Sequence, residues 1–144
     1  MNLTVDASVF VAASRSDEAH YQASRRFLHQ IQAQRHDLYC PTLVLPECAA
    51  AIARPTADAR IAEELVLLIE GLPRLYLVPL DHTLAQHASR VAGEHRLRGA
   101  DSVYVSVADT FDARLIAWDA ELLERGAGVV TTLTLQEWLE ETPA

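Results

Sequence analysis

Apolar residues fall along the chain in short runs separated by longer stretches of mixed polarity. Five runs read as strands: Leu3–Val5, Leu38–Cys40, Leu75–Val78, Leu115–Trp118 and Gly128–Val130. The stretches between them have helical length. In Ala19–Ala33 the apolar Ala23, Phe27, Leu28 and Ile31 recur at helical spacing, which predicts a helix capped by Ser16-Asp17. Ser8–Ala33 as a whole holds one or two helices. Thr42–Ala53 and Ala57–Glu70 flank Arg54-Pro55, which predicts a stop and a restart, because proline disfavours the α conformation in the residue before it. Asp81 caps a helix running to about Arg96. Gly99-Ala100-Asp101 opens another, Asp101–Phe111. A short helix follows Asp119, and Leu135–Glu141 is the last, with Thr142–Ala144 expected to fray.

Short apolar strands alternating with helices predict a parallel sheet covered on both faces, an α/β fold of three α/β/α layers. At ~150 residues per domain, the 144 residues predict a single domain spanning 1–144. No repeat, linker or low-complexity stretch divides it. The longest apolar runs, such as Ala49–Ala53 and Leu65–Ile69, fall far short of the ~20 residues of a membrane span. No basic leader with a small-residue cleavage site is visible, so a cytoplasmic protein is expected.

Charge narrows the chemistry. Twenty carboxylates face 12 cations, and every cation is Arg. Without lysine there is no Schiff base, no Walker A loop and no phospho-receiver site. A net charge of −8 opposes general electrostatic binding of nucleic acid. A polyanionic substrate then requires a metal or local arginines. The two cysteines, Cys40 and Cys48, are too few for a disulfide scaffold or a zinc site and read as buried thiols. The six histidines form no ligand pair.

Four acids stand out. Asp6 ends the first strand and Asp119 ends the fourth, and in open α/β sheets ligands bind beyond the carboxyl ends of strands. Glu47 lies in the apolar stretch PTLVLPECAAAIA, where a lone buried carboxylate is costly unless paired or metal-bound. Asp101 opens an apolar helix. Each has a plain structural alternative: Asp6, Asp101 and Asp119 as turn or cap residues, Glu47 on an exposed helix edge. Taken together, four acids converging on one sheet edge fit hard cations between them, Mg²⁺ or Mn²⁺ rather than zinc, and phosphodiester hydrolysis by metal-activated water.

The segments LTVDASVF, the LPE of PTLVLPECAAAIA, RGADSVYVSVA and LIAWDAELL resemble the PIN domain, and within it the VapC ribonuclease toxins of VapBC toxin–antitoxin systems. The resemblance runs along the whole chain in order and spacing. It implies a central, mainly parallel five-stranded sheet and a Mg²⁺- or Mn²⁺-dependent endoribonuclease with Asp6, Glu47, Asp101 and Asp119 as metal-binding acids. Ser8 takes the hydroxyl position thought to orient the first carboxylate or a metal-bound water. The family further implies an RNA substrate, a homodimer and a VapB-like antitoxin whose C-terminal segment wraps the toxin. Two positions depart from the family pattern: Ala117 stands where Thr is common and Ala50 where Asn is common.

Arg15, Arg96 and Arg98 are the candidates for contacting RNA phosphate, since guanidinium binds phosphate bidentately. Arg26 reads as surface. No aromatic platform of the kind found in RNA-binding sheets is visible, although Trp118, just before Asp119, is placed to border the site. A non-catalytic PIN-like module binding RNA or protein is the competing class. Phosphatases of the Asp-x-Asp type are excluded by Asp6-Ala7-Ser8 and the missing lysine, and dinucleotide binding by the absence of G-x-G-x-x-G.

Overall fold

The computed structural model describes residues 1–144. The elements run β1 (Asn2–Val5), α1 (Ala7–Ser14), α2 (Tyr21–Ala33), β2 (Asp37–Pro41), α3 (Val44–Thr56), α4 (Ala59–Glu70), β3 (Leu75–Val78), α5 (His82–His95), α6 (Gly99–Thr110), β4 (Arg114–Ala117), α7 (Ala120–Gly126), β5 (Thr132–Thr134) and α8 (Leu135–Glu141). The five strands form one sheet in the order β3-β2-β1-β4-β5. Every neighbouring pair is parallel. The expected three-layer α/β/α architecture is present.

The apolar runs are strands because they are buried on both sides. Leu3 and Val5 of β1 and Leu115, Ile116 and Ala117 of β4 are wholly shielded from solvent. α6 packs directly on β1, β2 and β4 and carries α5 on its outer side, while α2 packs on α1 and α8, and α3 on α1 and α4. α6 is buried continuously from Ser102 to Ala108, which explains its apolar composition all round. Cys40 and Cys48 are buried thiols, and burial pushes both up to about 12, so neither is a nucleophile at neutral pH.

Four expectations are corrected. The last strand is Thr132–Thr134, not Gly128–Val130. It is an edge strand of half-buried residues, so its sequence carries little apolar signal. α3 does not stop at Arg54-Pro55 but runs through Pro55 to Thr56. Pro55 sits in the last turn, and the carbonyl it leaves without a donor belongs to exposed Ala51. The stop comes at Ala57, whose φ of 52° is left-handed, and Asp58 then caps α4 by accepting from the Arg60 and Ile61 amides. Ser16-Asp17 does not cap α2. His20 holds that position, and Asp17 pairs with Arg15 at 3.3 Å. The chain end is tied rather than frayed: the Gln30 and Gln34 side-chain amides donate to the carbonyls of Thr142 and Pro143.

α8 is held by Trp138, fully buried and edge-on to Phe27 at 4.9 Å between ring centroids. Its indole N–H has no partner. Trp138→Ala should therefore cost about 3–5 kcal/mol of stability. Trp138→Phe should cost under about 1.5 kcal/mol, since it keeps the aromatic contact and loses no hydrogen bond. Urea denaturation of the two variants checks the difference.

Candidate active site

The sheet order creates the site. The chain runs outward from β1 through β2 to β3, then returns to place β4 on the other side of β1. Such a switch of direction opens a crevice at the carboxyl ends of the two adjacent strands. Val5 pairs with Ile116, so Asp6 leaves β1 beside the end of β4, and Asp119 follows two residues beyond Ala117.

Asp6 occupies the N-cap position of α1 but makes no side-chain capping bond. Its Oδ1 instead accepts from the Ser8 hydroxyl at 2.7 Å. Burial raises its carboxyl to about 6; the hydroxyl of Ser8 opposes that rise, and Asp101 and Glu47 add smaller like-charge contributions. Glu47 lies in the first turn of α3, where its Oε1 accepts from the Tyr104 hydroxyl at 2.6 Å. Tyr104 comes from the middle of α6 and is 1% exposed. Burial and the bond to Glu47 both push its phenol far above the ordinary value, so it is a fixed donor. Glu47 is thus neither a fully solvated helix edge nor an unpaired buried charge.

Asp101 sits in the first turn of α6, where burial and then Asp119 raise its carboxyl while Arg98 lowers it. Asp119 is the N-cap of α7: its Oδ1 accepts from the amides of Glu121 at 2.9 Å and Leu122 at 3.3 Å. Its second oxygen lies 4.0 Å from Arg98 Nη2. The cap reading and the site reading of Asp119 are therefore compatible, one oxygen serving each. Arg98 also approaches Asp101 at 3.9 Å and Glu121 at 3.1 Å. The guanidinium thus stands across the acids of α6 and α7.

The other two candidate arginines are placed differently. Arg15 pairs with Asp17 and lines a groove with Ile52, Thr56 and Ile61, apart from the cavity holding Asp6. Arg96 ends α5 in a left-handed conformation, with its carbonyl accepting from Arg125 at 2.5 Å. The cavity beside Asp6 and Glu47 has a volume of about 370 Å³ and is bordered by Trp118, as its sequence position predicts. Tyr104, Glu121 and His20 were not singled out by the sequence. Tyr104 has one legible signal: a hydroxyl three residues after Asp101 on the same helix.

Asp6 has a stability consequence. A carboxyl whose folded pKa of about 6 lies above its unfolded 3.8 binds more protons when folded. Its contribution to stability then falls as pH rises through that window. Asp6→Asn keeps an acceptor for Ser8 and removes the charge. It should stabilise the protein in EDTA at pH 7.5 by about 0.5–2 kcal/mol. The gain should vanish towards pH 4. Melting curves across that pH range test this, and a destabilised variant would make Asp6 a purely structural residue.

The PIN domain family model matches residues 3–129. No curated protein matches the chain. Among solved structures, VapBC2 from Rickettsia felis bound to a promoter DNA fragment aligns with a TM-score of 0.72 at 12% identity, covering 93% of this chain and 98% of that one. Mycobacterium tuberculosis VapC20, a sarcin-ricin loop cleaving toxin, aligns with a TM-score of 0.72 at 17% identity over 89% of this chain and 96% of its own. FitAcB from Neisseria gonorrhoeae aligns with a TM-score of 0.69 at 16% identity over 94% and 99%. At these identities the likeness is one of fold. The family match, the all-parallel sheet and the acids at its switch point agree: the chain belongs to the PIN domain family.

Proposed function

We propose that this chain is a divalent-cation-dependent endoribonuclease and the toxin of a type II toxin–antitoxin pair. One observation carries the reading: acids from four elements, Asp6, Glu47, Asp101 and Asp119, gather at the sheet's switch point, Asp101 and Glu47 each raising the carboxyl of Asp6, and Asp119 and Glu47 that of Asp101. Accumulating like charge in a half-buried crevice is unfavourable unless a cation is meant to enter it.

The donor chemistry fits Mg²⁺ or Mn²⁺. All four side chains are hard oxygen donors, which favours Mg²⁺ or Mn²⁺ over zinc. No three His, Cys, Asp or Glu side chains close into a ready-made cage. An ion there would be held by one or two of these carboxylates, with water and substrate oxygens completing its shell. When bound, the cation supplies charge to the phosphodiester and lowers the pKa of its water. The chain's own residues prepare the donors. Ser8 fixes Asp6, Tyr104 fixes Glu47, and the α7 amides fix Asp119. Arg98 is the cation nearest the acids and the residue best placed to take an RNA phosphate as it leaves them. Arg15 and Arg96 are assigned only to the outer path of the RNA.

Supporting the toxin reading, three of the structures with this fold are VapBC complexes and another is named as a sarcin-ricin loop cleaving toxin. A basic antitoxin side chain would compete for these acids in the place Arg98 now takes. Ile61, Leu67 and Leu68 of α4, 45–69% exposed, offer apolar surface to an antitoxin or a second copy in a cytoplasmic homodimer. The absence of a closed carboxylate cage favours the alternative, a non-catalytic PIN module binding RNA or protein.

Cleavage decides between them. Folded protein should cut pooled cellular RNA in Mg²⁺ or Mn²⁺ and stop in EDTA. Asp6→Asn should lose roughly a hundredfold or more of that rate. No cleavage in Mn²⁺ by folded wild type would favour the binding module. Tyr104→Phe should lower the rate by about 10- to 100-fold, as loss of a residue that orients a metal ligand does. A wild-type rate in that variant would remove Tyr104 from the site.

A further inference from the structure

The cavity beside Asp6 has a feature that catalysis at the acids does not use. The rings of His20 and Trp118 lie stacked, 3.7 Å between centroids and 8° apart, and both border this cavity. Trp118 is half-buried, and its indole N–H donates to Ser24 Oγ at 2.9 Å, Ser24 being fully buried in α2. The indole is therefore held in a fixed orientation. His20 is exposed and makes no capping bond for the helix it precedes, so its stacking on Trp118 is the one ring contact it has.

The remaining wall decides what can enter. Asp6, Glu47 and Glu18 face the same cavity, so a phosphate with no cation between it and the acids is repelled there. A flat, uncharged ring with N–H donors on its edge meets both parts of the wall: its π face lies on the aromatic pair, and its donors meet the carboxylates. The volume of about 370 Å³ falls within the range of small-ligand sites. Single-stranded RNA presents such rings, and proteins take them by stacking on Trp, Tyr, Phe and His.

We propose that His20 and Trp118 form a nucleobase platform, on which a base adjoining the scissile phosphate stacks while that phosphate lies over the acids. The proposal rests on the endoribonuclease reading and adds to it a binding subsite with its ligand class. It also amends the expectation that the chain lacks an aromatic platform: the two rings are separated by almost a hundred positions in sequence, and only the fold joins them.

Tryptophan fluorescence of the intact protein tests it. There are two tryptophans, and Trp138 is wholly buried, so contact quenching reports on Trp118. Adenosine, cytidine and uridine are the probes, because they carry no phosphodiester to cut. At least one should quench saturably, ribose should not, and Trp118→Leu should abolish the effect. With a short single-stranded RNA substrate, His20→Ala should raise KM roughly 5- to 150-fold, the measured range for one stacked base, and more than it lowers kcat. His20 is exposed, so this variant folds even if Trp118→Leu does not. Absent quenching, equal quenching by ribose, or quenching by N-acetylargininamide with none by nucleosides would overturn the proposal, the last assigning the cavity to a protein side chain. RNA cleavage with KM and kcat unmoved in His20→Ala would also overturn it while leaving the nuclease reading intact. Saturable nucleoside quenching in a protein that cuts no RNA would keep the platform and sink the nuclease reading.

Discussion

The parallel pairing of β1 with β4 is the contact on which the site depends. These strands are far apart in sequence, and their register, Leu3 with Arg114 through Val5 with Ile116, is fixed by the burial of Leu3, Thr4 and Val5 against Leu115, Ile116 and Ala117. A slip of one residue would turn every buried side chain of a strand to the opposite face of the sheet. It would also move Asp6 away from Asp119. The hydrophobic packing of two short strands therefore sets the spacing of two acids, neither of which takes part in that packing. α6 extends the same frame. It is buried across β1, β2 and β4, and so carries Asp101 to the crevice from one end and Tyr104 to Glu47 from its middle.

Electrostatics work against this arrangement, and the local contacts show how it is tolerated. Asp6 bears the largest carboxyl shift, caused chiefly by burial rather than by its acidic neighbours. Ser8 offsets part of it. Glu47 has a single short bond from a buried phenol, and Asp119 has two helix amides. Arg98, 67% exposed, reaches three acids at once. Exposure means that it can leave without unpacking anything, so its charge is exchangeable for another cation. A site assembled this way is rigid in its donors and replaceable in its countercharge.

Much of this was legible in the sequence, for physical reasons that differ by residue. The strands β1 and β2 and the helix boundaries at Asp81 and Leu135 announce themselves because burial and capping act locally, and β3, although an edge strand, through its apolar run Leu75–Val78. Asp6 and Asp119 were legible because each directly follows an apolar run, and Glu47 because it interrupts one. β5 was misplaced because an edge strand needs no apolar run. Pro55 misled because a proline in the last turn of a helix forfeits only one hydrogen bond. Tyr104 was hidden in a run that reads as core, which it also is. The His20–Trp118 stack was invisible because no pattern within the chain couples two such distant positions. Arg15, Arg96 and Arg98 looked alike in sequence, and only the return of α6 beside β4 sets Arg98 among the acids.

The central claim is that these carboxylates form one cation site at the β1–β4 switch point. Diffraction from crystals grown in Mn²⁺, with anomalous differences recorded near the manganese edge, tests it most directly. The account predicts an anomalous peak within ligating distance of Asp6 and at least one of Glu47, Asp101 and Asp119, with Arg98 withdrawn from the acids. A crevice without such a peak at saturating Mn²⁺, and Arg98 still spanning Asp101 and Asp119, would contradict it.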